Sequence, residues 1–428
     1  MNRSPRSSLH TGPGIGAVVR VPAAIALLVA LFGSASASAQ ARPVPSISLD
    51  RGATEFAESF SALSTLVELR DGRLIVLDSK EKDLRLVDMA RPTATRVSRL
   101  GGGPLEYQVP GILLAGAADT VIYFDMMQRR FLQLSKNGAP LKTIPYGATA
   151  ATGSPDQMQS LMSQMMPTSA DARGVLFGQT MGMSMPAMDG KAGPPMPTFA
   201  DTVEIQSFDP RSGRVTTLAR IRSPMAQAKP KIEMTGTAVR MTITAPDFRP
   251  GAAWAVLPDG RLAVLRDGVY RVHFLTSGRP ETLGPLIPFT PVPVTAAERK
   301  AVVDSLRASM EKSMAAMRKT LGQAGRAAGT GLTFEARVLE PSTWAPNKPA
   351  YNAIMSSPDG RLWVALSAPT GARVSRMDVL DGAGTLLAHV QLAAGEKFAG
   401  LGRGTVYTIR TDDDDLQYLR RYTLPKLP

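Results

Sequence analysis

Residues 101–145 read GGGPLEYQVPGILLAGAADTVIYFDMMQRRFLQLSKNGAPLKTIP, and this stretch contains the parts of one complete antiparallel sheet. A glycine-rich turn leads into the apolar run VPGILLAG, and TVIYFD, RRFLQLS and PLKTIP follow after polar or glycine-containing breaks. Apolar and alternating runs bounded by such breaks are typical of strands. Four strands in succession make up one blade of a β-propeller.

Weaker copies of this unit lie on both sides of it. They are found by the strand that follows an Asp-Gly or equivalent turn, and the six copies are DGRLIVLD from Asp71, DTVIYFD from Asp119, RGVLFGQ from Arg173, DGRLAVLR from Asp259, DGRLWVAL from Asp359 and RGTVYTIR from Arg403. Three of the five intervals are close to the roughly 40–50 residues that a four-stranded blade needs, and the two longer intervals indicate insertions. We therefore predict an all-β, six-bladed propeller with four-stranded antiparallel blades.

The last copy ends with its third strand, because no further strand remains before Pro428. A propeller avoids an exposed strand edge by closing its ring. We therefore expect an N-terminal strand to close the last blade, and we assign Val44–Leu49 to that position. The propeller domain is predicted to cover residues 42–428.

Residues 1–39 have the features of a secretory signal peptide. Arg3, Arg6 and Arg20 give a positive start, Pro22–Phe32 is a short apolar core, and small residues follow at the expected cleavage point. The alternative, an N-terminal membrane anchor, normally needs a longer apolar run. The sequence has no cysteine and no other long apolar stretch, so we predict a periplasmic or secreted protein without a transmembrane segment after signal removal.

The formal net charge of the chain is +13. The basic residues are dispersed, without a lysine and arginine block or a basic stripe interleaved with aromatics. This pattern favours a solvated basic surface over nucleic-acid binding. An unknown ligand or protein of the cell envelope is the expected partner, and acidic envelope polymers have the complementary charge.

Four insertions are predicted near residues 146–168, 181–200, 223–250 and 290–348. Each falls between the second and third strands of a blade or between two blades, and both kinds of connection open on the same face of the ring. The last insertion contains the one predicted helix, about 295–321, in which Thr295 and Glu298 form a capping box and Gly322 stands at the end. The helix is amphipathic, and we expect it to lie on the propeller, with binding to a membrane surface as the alternative.

Several motifs resemble those of a known family: GGGPLEYQVP, the PDGRL turns, WAVLPDGRLAVLR and the terminal GRGTVYTIRTDDDDLQYLRRY. They are similar to the bacterial six-bladed β-propeller family related to NHL-repeat proteins, over most of the chain after the leader. The resemblance implies a secreted or periplasmic propeller, often of unassigned role. The insertions, especially the methionine-rich ones, depart from the family pattern.

Five residues are predicted to bind a ligand at the mouth of the channel. Asp78, Asp125, Arg266 and Arg410 end equivalent strands, and Glu106 lies in a turn between blades. Similar six-bladed propellers include calcium-dependent lactonases, whose chemistry needs converging carboxylates. The equivalent positions Gln179 and Leu366 make the ring of side chains unevenly acidic.

The methionine-rich connection suggests a second kind of site. Met181, Met183, Met185 and Met188 are spaced to bring several thioethers together, and thioethers suit Cu(I). The alternative is that these methionines fill irregular apolar space.

Only two histidines follow the leader, His273 and His389, and both lie in predicted strands. We therefore expect structural histidines rather than a histidine-based catalytic or metal site. The leading hypothesis is an exported, non-catalytic binding or scaffolding propeller of the cell envelope with an unknown ligand. A calcium-dependent lactonase-like hydrolase and a Cu(I)-binding module stay open as alternatives, so no cofactor is expected unless calcium or copper is bound.

Overall fold

A computed structural model describes residues 43–146, 164–184, 198–223, 231–235, 238–327 and 333–427. The predicted signal peptide, residues 1–39, lies outside the described residues. Within the described ranges, six sheets, each built on four antiparallel strands, confirm the six-bladed propeller.

The first three blades come from the N-terminal half of the chain. The strands of the first blade are Leu63–Glu68, Leu74–Asp78, Asp83–Asp88 and Thr93–Arg96. The strands of the second blade are Gly111–Ala115, Val121–Asp125, Arg130–Leu134 and Pro140–Pro145, with a 3₁₀ turn at Ala117–Asp119. The strands of the third blade are Met165–Ala170, Leu176–Thr180, Thr202–Asp209 and Arg214–Arg222.

The other three blades follow the same order. The strands of the fourth blade are Ala253–Val256, Leu262–Leu265, His273–Leu275 and Thr282–Leu283. The strands of the fifth blade are Tyr351–Ser356, Leu362–Leu366, Arg376–Leu380 and Leu386–Leu392. The sixth blade contributes Lys397–Leu401, Thr405–Thr411 and Gln417–Thr423, followed by an N-terminal fourth strand.

The N-terminal segment closes the ring, but through a different strand from the one that we assigned. Thr54–Glu55 pairs antiparallel with Gln417–Thr423 and completes the sixth blade. The assignment of Val44–Leu49 to this position is wrong: Ser46–Leu49 pairs parallel with Leu386–Leu392 as a fifth strand of the fifth blade. The side chain of Leu49 is buried in the core between the fifth and sixth blades, which favours this placement.

The hydrophobic core is divided among the seams between blades. Six clusters of buried side chains each join two neighbouring blades, and the cluster of Phe56, Phe60, Leu74 and Tyr407 joins the sixth blade to the first. A blade is covered on both sides by its neighbours, so its second strand is apolar without alternation. All five residues of Leu74–Asp78 are buried for this reason.

The long connections build additional structure beside the ring. The helix α1, Ala296–Ala327, contacts a three-stranded sheet made of Lys231–Thr235, Ala238–Thr244 and Thr333–Leu339. We call α1 and this sheet the cap. The helix continues past Gly322, because one glycine inside a helix costs only about 1 kcal/mol relative to alanine. A separate two-stranded hairpin pairs Met183–Ser184 with Thr198–Phe199.

Candidate functional site

Asp78, the first predicted ligand-binding residue, is completely buried at the end of its strand. Its Oδ2 accepts a hydrogen bond from the backbone N–H of Ser61 at 2.7 Å, and its Oδ1 accepts from Ala62 at 3.1 Å. The N–H groups of Lys80 and Glu81 also donate to Oδ1, both at 3.1 Å. The carboxylate therefore holds the chain entering the first blade against the turn after its second strand.

Asp125 has the same role in the second blade. It is completely buried, and it accepts hydrogen bonds from the backbone N–H of Gln108 at 3.0 Å and of Gln128 at 2.9 Å. Arg130 lies 3.7 Å away through its Nε. Both aspartates thus accept backbone N–H groups from the chain that enters their blade.

Glu106 is enclosed by the glycine-rich turn that precedes it. Its carboxylate accepts hydrogen bonds from the Gly103 N–H and the Arg99 guanidinium, both at 2.8 Å. A Cβ atom at Gly101 would lie 2.2 Å from Glu106 Oε2, so this turn has no room for a side chain there. The glycines of GGGPLEY thus permit the chain to fold around a carboxylate.

Arg266 is paired within the fourth blade. Its Nη2 donates to both carboxylate oxygens of Glu281, at 2.8 and 2.9 Å. His273 Nδ1 lies 2.5 Å from Oε1 of the same glutamate. Arg266 therefore belongs to a cluster at the end of the blade's second strand.

Arg410 is paired across the closure of the ring. Its Nε and Nη2 donate to Glu55 at 2.9 and 2.8 Å, and Arg420 binds the same carboxylate. The hydrogen bond from Arg410, above all, lowers the pKa of Glu55 to about 2, although partial burial opposes this shift. The five predicted residues thus occupy four different blades or their connections, and the hydrogen bonds described for each carboxylate or guanidinium are to other residues.

The predicted Cu(I) site is described only in part. Met181 is exposed, and Met183 lies opposite Phe199 in the two-stranded hairpin. Met185 and Met188 fall outside the described residues. Among the residues that the structure describes, no three or more of His, Cys, Asp and Glu are grouped to hold a metal ion.

The contact between the cap and the ring was only partly foreseen from the sequence. Thr295 Oγ1 accepts the N–H of Glu298 at 3.2 Å, but the Glu298 carboxylate does not complete the predicted capping box. It instead accepts the Thr370 N–H at 2.6 Å and lies 2.7 Å from Lys348 Nζ. Burial would raise the pKa of Glu298, but the hydrogen bonds from Lys348 and Thr370 outweigh it and hold the pKa below its usual value.

Aromatic and cationic side chains lie beside this contact. The ring of Trp344 is 5.8 Å from that of Phe248, and the Arg299 guanidinium carbon is 5.9 Å from the Trp344 centroid. Lys348 Nζ lies 5.5 Å from the Phe248 centroid. We call these four residues the aromatic-cationic cluster. The feature of the sequence that could have indicated this cluster is Trp344 in PSTWAPNKP, because tryptophan is uncommon in a proline-rich connection.

Phe248 has an unusual backbone conformation within this cluster. Its φ of +63° lies in the left-handed region, which is rare for a bulky residue and costs on the order of 1–3 kcal/mol. The surrounding contacts must compensate for this strain. The cluster is therefore a built surface rather than a chance meeting of side chains.

His389 also has a carboxylate partner. Its Nδ1 lies 2.6 Å from Asp378 Oδ1, and the Tyr270 hydroxyl donates to Asp378 Oδ2 at 2.7 Å. Tyr270 and Asp378 are buried, whereas about half of the His389 side chain is exposed. Burial, first of all, and the charge of Asp378 raise the pKa of Tyr270, so this hydroxyl remains a donor.

None of the helices in the described ranges is long and apolar enough to cross a membrane.

Comparison with known proteins gives structural likenesses alone. No protein-family model and no curated protein matches this chain. A member of the DUF4221 family from Bacteroides vulgatus has a TM-score of 0.45 at 9% identity, with 89% of this chain and 98% of that chain covered.

Two further solved structures are similar over most of both chains. A protein of Bacteroides fragilis named as exported has a TM-score of 0.44 at 9% identity, with 89% and 99% coverage. A gluconolactonase from Xanthomonas campestris has a TM-score of 0.40 at 10% identity, with 91% and 99% coverage. The six-bladed propeller of this chain therefore resembles lactonase and DUF4221 structures only at a distance that carries no function across.

Proposed function

We propose that this protein is an exported propeller of the cell envelope that binds or scaffolds a ligand at its capped face without catalysing a reaction there. The observation that carries the proposal is the fixed position of the cap. The buried Glu298 at the start of α1 accepts hydrogen bonds from Lys348, just before the fifth blade, and from Thr370, between that blade's second and third strands. A cap held in this way offers a preformed surface.

The partners of four predicted channel-mouth residues support a structural role for these positions. Asp78 and Asp125 are occupied by backbone N–H groups, and Arg266 and Arg410 by glutamates. Groups with these partners are not poised to transfer protons or to activate water. The carboxylates that a calcium-dependent hydrolase would use at these positions are thus engaged in holding the chain.

The charge of the protein indicates the chemistry of the ligand. Removal of the leader, with its three arginines and no acidic residue, leaves a strongly basic chain. The cap contributes the exposed Arg299 next to the ring of Trp344, a combination that can contact both the charge and the flat face of a sugar acid. We infer that the ligand is an acidic polymer of the envelope.

Binding to dextran sulfate, with neutral dextran as the comparison, tests this proposal. Arg299→Ala and Trp344→Ala should each weaken dextran sulfate binding about tenfold, since arginine and tryptophan are the residue types that most often dominate an interface. Arg214→Ala is the matched control, because Arg214 is exposed on the outer strand of the third blade and its loss removes the same charge. Equal losses for Arg214→Ala and Arg299→Ala would show nonspecific attraction and refute a capped-face site.

The proposal includes export of the protein and its relation to NHL-repeat propellers. Fractionation of the native host should place the protein in the periplasm or the medium, with an N-terminus near residue 40. A cytoplasmic, unprocessed chain would refute export. The relation to NHL-repeat propellers rests on the turn and strand motifs alone, and it predicts a soluble, envelope-located propeller.

A further inference from the structure

A row of three polar side chains crosses the outer part of the fifth blade. Ser46 pairs with His389 in the parallel ladder, and His389 pairs with Asp378 in the antiparallel ladder. Residues directly opposite one another in a sheet project from the same side. The row Ser46, His389 and Asp378 therefore lies on one side of the sheet, with the histidine in the middle.

Hydrogen bonds fix the tautomer and the orientation of the histidine. Asp378 already accepts the Tyr270 hydroxyl through Oδ2, so its Oδ1, 2.6 Å from His389 Nδ1, accepts the Nδ1 hydrogen. The lone pair of the neutral ring then resides on Nε2. The buried carboxylate thus orients a base whose side chain is about half exposed.

The edge position of Ser46 supplies two further groups. Its side chain is exposed, because Ser46–Leu49 is the outermost strand of the sheet. The His389 N–H donates to Pro45 O, so the backbone groups of Pro45 and Ile47 face the neighbouring strand in the parallel ladder. Alternate residues of a strand face opposite sides, so the N–H of Ser46 points to the open edge. A backbone N–H next to a serine hydroxyl can stabilise an oxyanion.

We propose that Ser46, His389 and Asp378 form a nucleophilic site for carboxylic esters on the rim of the fifth blade, separate from the capped face. Ser46 supplies the nucleophile, His389 the general base and Asp378 the group that positions the base. Tyr270 is a positioning residue that acts through Asp378. The arrangement follows the order of a serine triad, with Ser46 opposite His389 in the ladder and His389 Nδ1 2.6 Å from Asp378 Oδ1.

The reaction needs no redox partner. Ser46 Oγ attacks the acyl carbon while its proton passes to His389 Nε2, and the bond to the alcohol oxygen breaks as that proton moves to the leaving group. Water then attacks the acyl carbon, gives its proton to Nε2, and displaces Oγ, which recovers the proton. The net change is an ester and water converted to an acid and an alcohol.

Covalent labelling tests the nucleophile directly. A fluorophosphonate probe should form a bond from Ser46 Oγ to phosphorus with release of fluoride, and peptide mass spectrometry of the purified protein should locate the label on Ser46. Ser48→Ala is the matched control, because Ser48 is exposed on the same side of the same strand but lies opposite Gln391. Label on Ser48 to the same extent, or no label on Ser46, overturns the proposal.

Hydrolysis of p-nitrophenyl acetate tests the roles of the partners. Ser46→Ala and His389→Asn should lower kcat/KM at least about 100-fold, whereas Ser48→Ala should remain within about twofold of the unsubstituted protein. Asp378→Asn should lower kcat with KM unchanged. Because an unfolded fraction would give the same pattern, melting temperatures must first show that each variant is folded. Equal rates for Ser46→Ala and the unsubstituted protein overturn the proposal, and neither result bears on dextran sulfate binding.

Discussion

Replacement of Asp78 by alanine should lower the free energy of unfolding by about 3–5 kcal/mol. The carboxylate has no exposed surface and accepts four backbone N–H groups. The N–H groups of Lys80 and Glu81 lie in a turn that water can reach once the Asp78 carboxylate is removed. The N–H groups of Ser61 and Ala62 belong to the segment that enters the first blade. Each buried donor that is left without a partner lowers the free energy of unfolding by about 1–3 kcal/mol.

Urea unfolding followed by circular dichroism measures this cost. Asp125→Ala should be less destabilising than Asp78→Ala, because Asp125 accepts only two backbone N–H groups. The destabilisation by Asp78→Asn should lie between those of Asp78→Ala and Asp125→Ala, since one acceptor oxygen remains. A residue kept for ligand binding behaves in the opposite way, because its removal often stabilises a protein. If Asp78→Ala changes stability by less than about 0.5 kcal/mol, the structural role assigned to this carboxylate is refuted.

Three further predictions address the closure, the packing and the metal content. The folded pKa of Glu55 is about 2, below its ordinary 4.5, so the stabilisation that its ion pairs provide is present above about pH 4.5 and is lost as the pH falls towards 2. The difference in melting temperature between the protein and Glu55→Gln should therefore shrink over that range. A constant difference would contradict the ion pairs with the two arginines. Gly178→Ala should lower the urea midpoint far more than Gly102→Ala, because a Cβ at Gly178 would lie 1.9 Å from Met166 O whereas the nearest atom at Gly102 would be 3.5 Å away. Metal analysis of the purified protein should find neither calcium nor copper. Bound calcium would favour the lactonase alternative. A one-to-one Cu(I) complex that is lost in Met181→Leu and Met183→Leu would favour the copper-binding alternative.

The fold was predictable because each blade repeats one local pattern. The second strand is covered on both sides, so Leu74–Asp78 and Val121–Asp125 are buried throughout and are easily recognised in the sequence. The strand that closes the sixth blade was harder to identify. Thr54–Glu55 has only two residues, whereas Ser46–Leu49 alternates as a longer strand, and the choice between them depends on a seam formed by residues more than 300 positions away.

The positions of the candidate sites could not be read from strand equivalence. Asp78 and Asp125 do occupy equivalent positions, as expected, but the backbone N–H groups that reach them come from turns whose path is visible only in three dimensions. The same limit applies to His389. Its carboxylate partner lies 11 residues earlier, and the hydroxyl that fixes this partner comes from Tyr270 in another blade.

The physical difference between seams and connections explains where function is expected in this propeller. A polar group inside a seam is desolvated from both sides, so it persists only when its hydrogen bonds are satisfied internally, as those of Asp78 are. A polar group at the cap or the rim keeps one side open to solvent and can exchange that contact for a ligand. Arg299 and His389 meet this condition, whereas Asp125 does not. The cap comes from inserted connections, so it can change without disturbing the six seams that stabilise the ring. The rim row is instead tied to two seams, through Leu49 of the N-terminal strand and through Tyr270, which donates to Asp378.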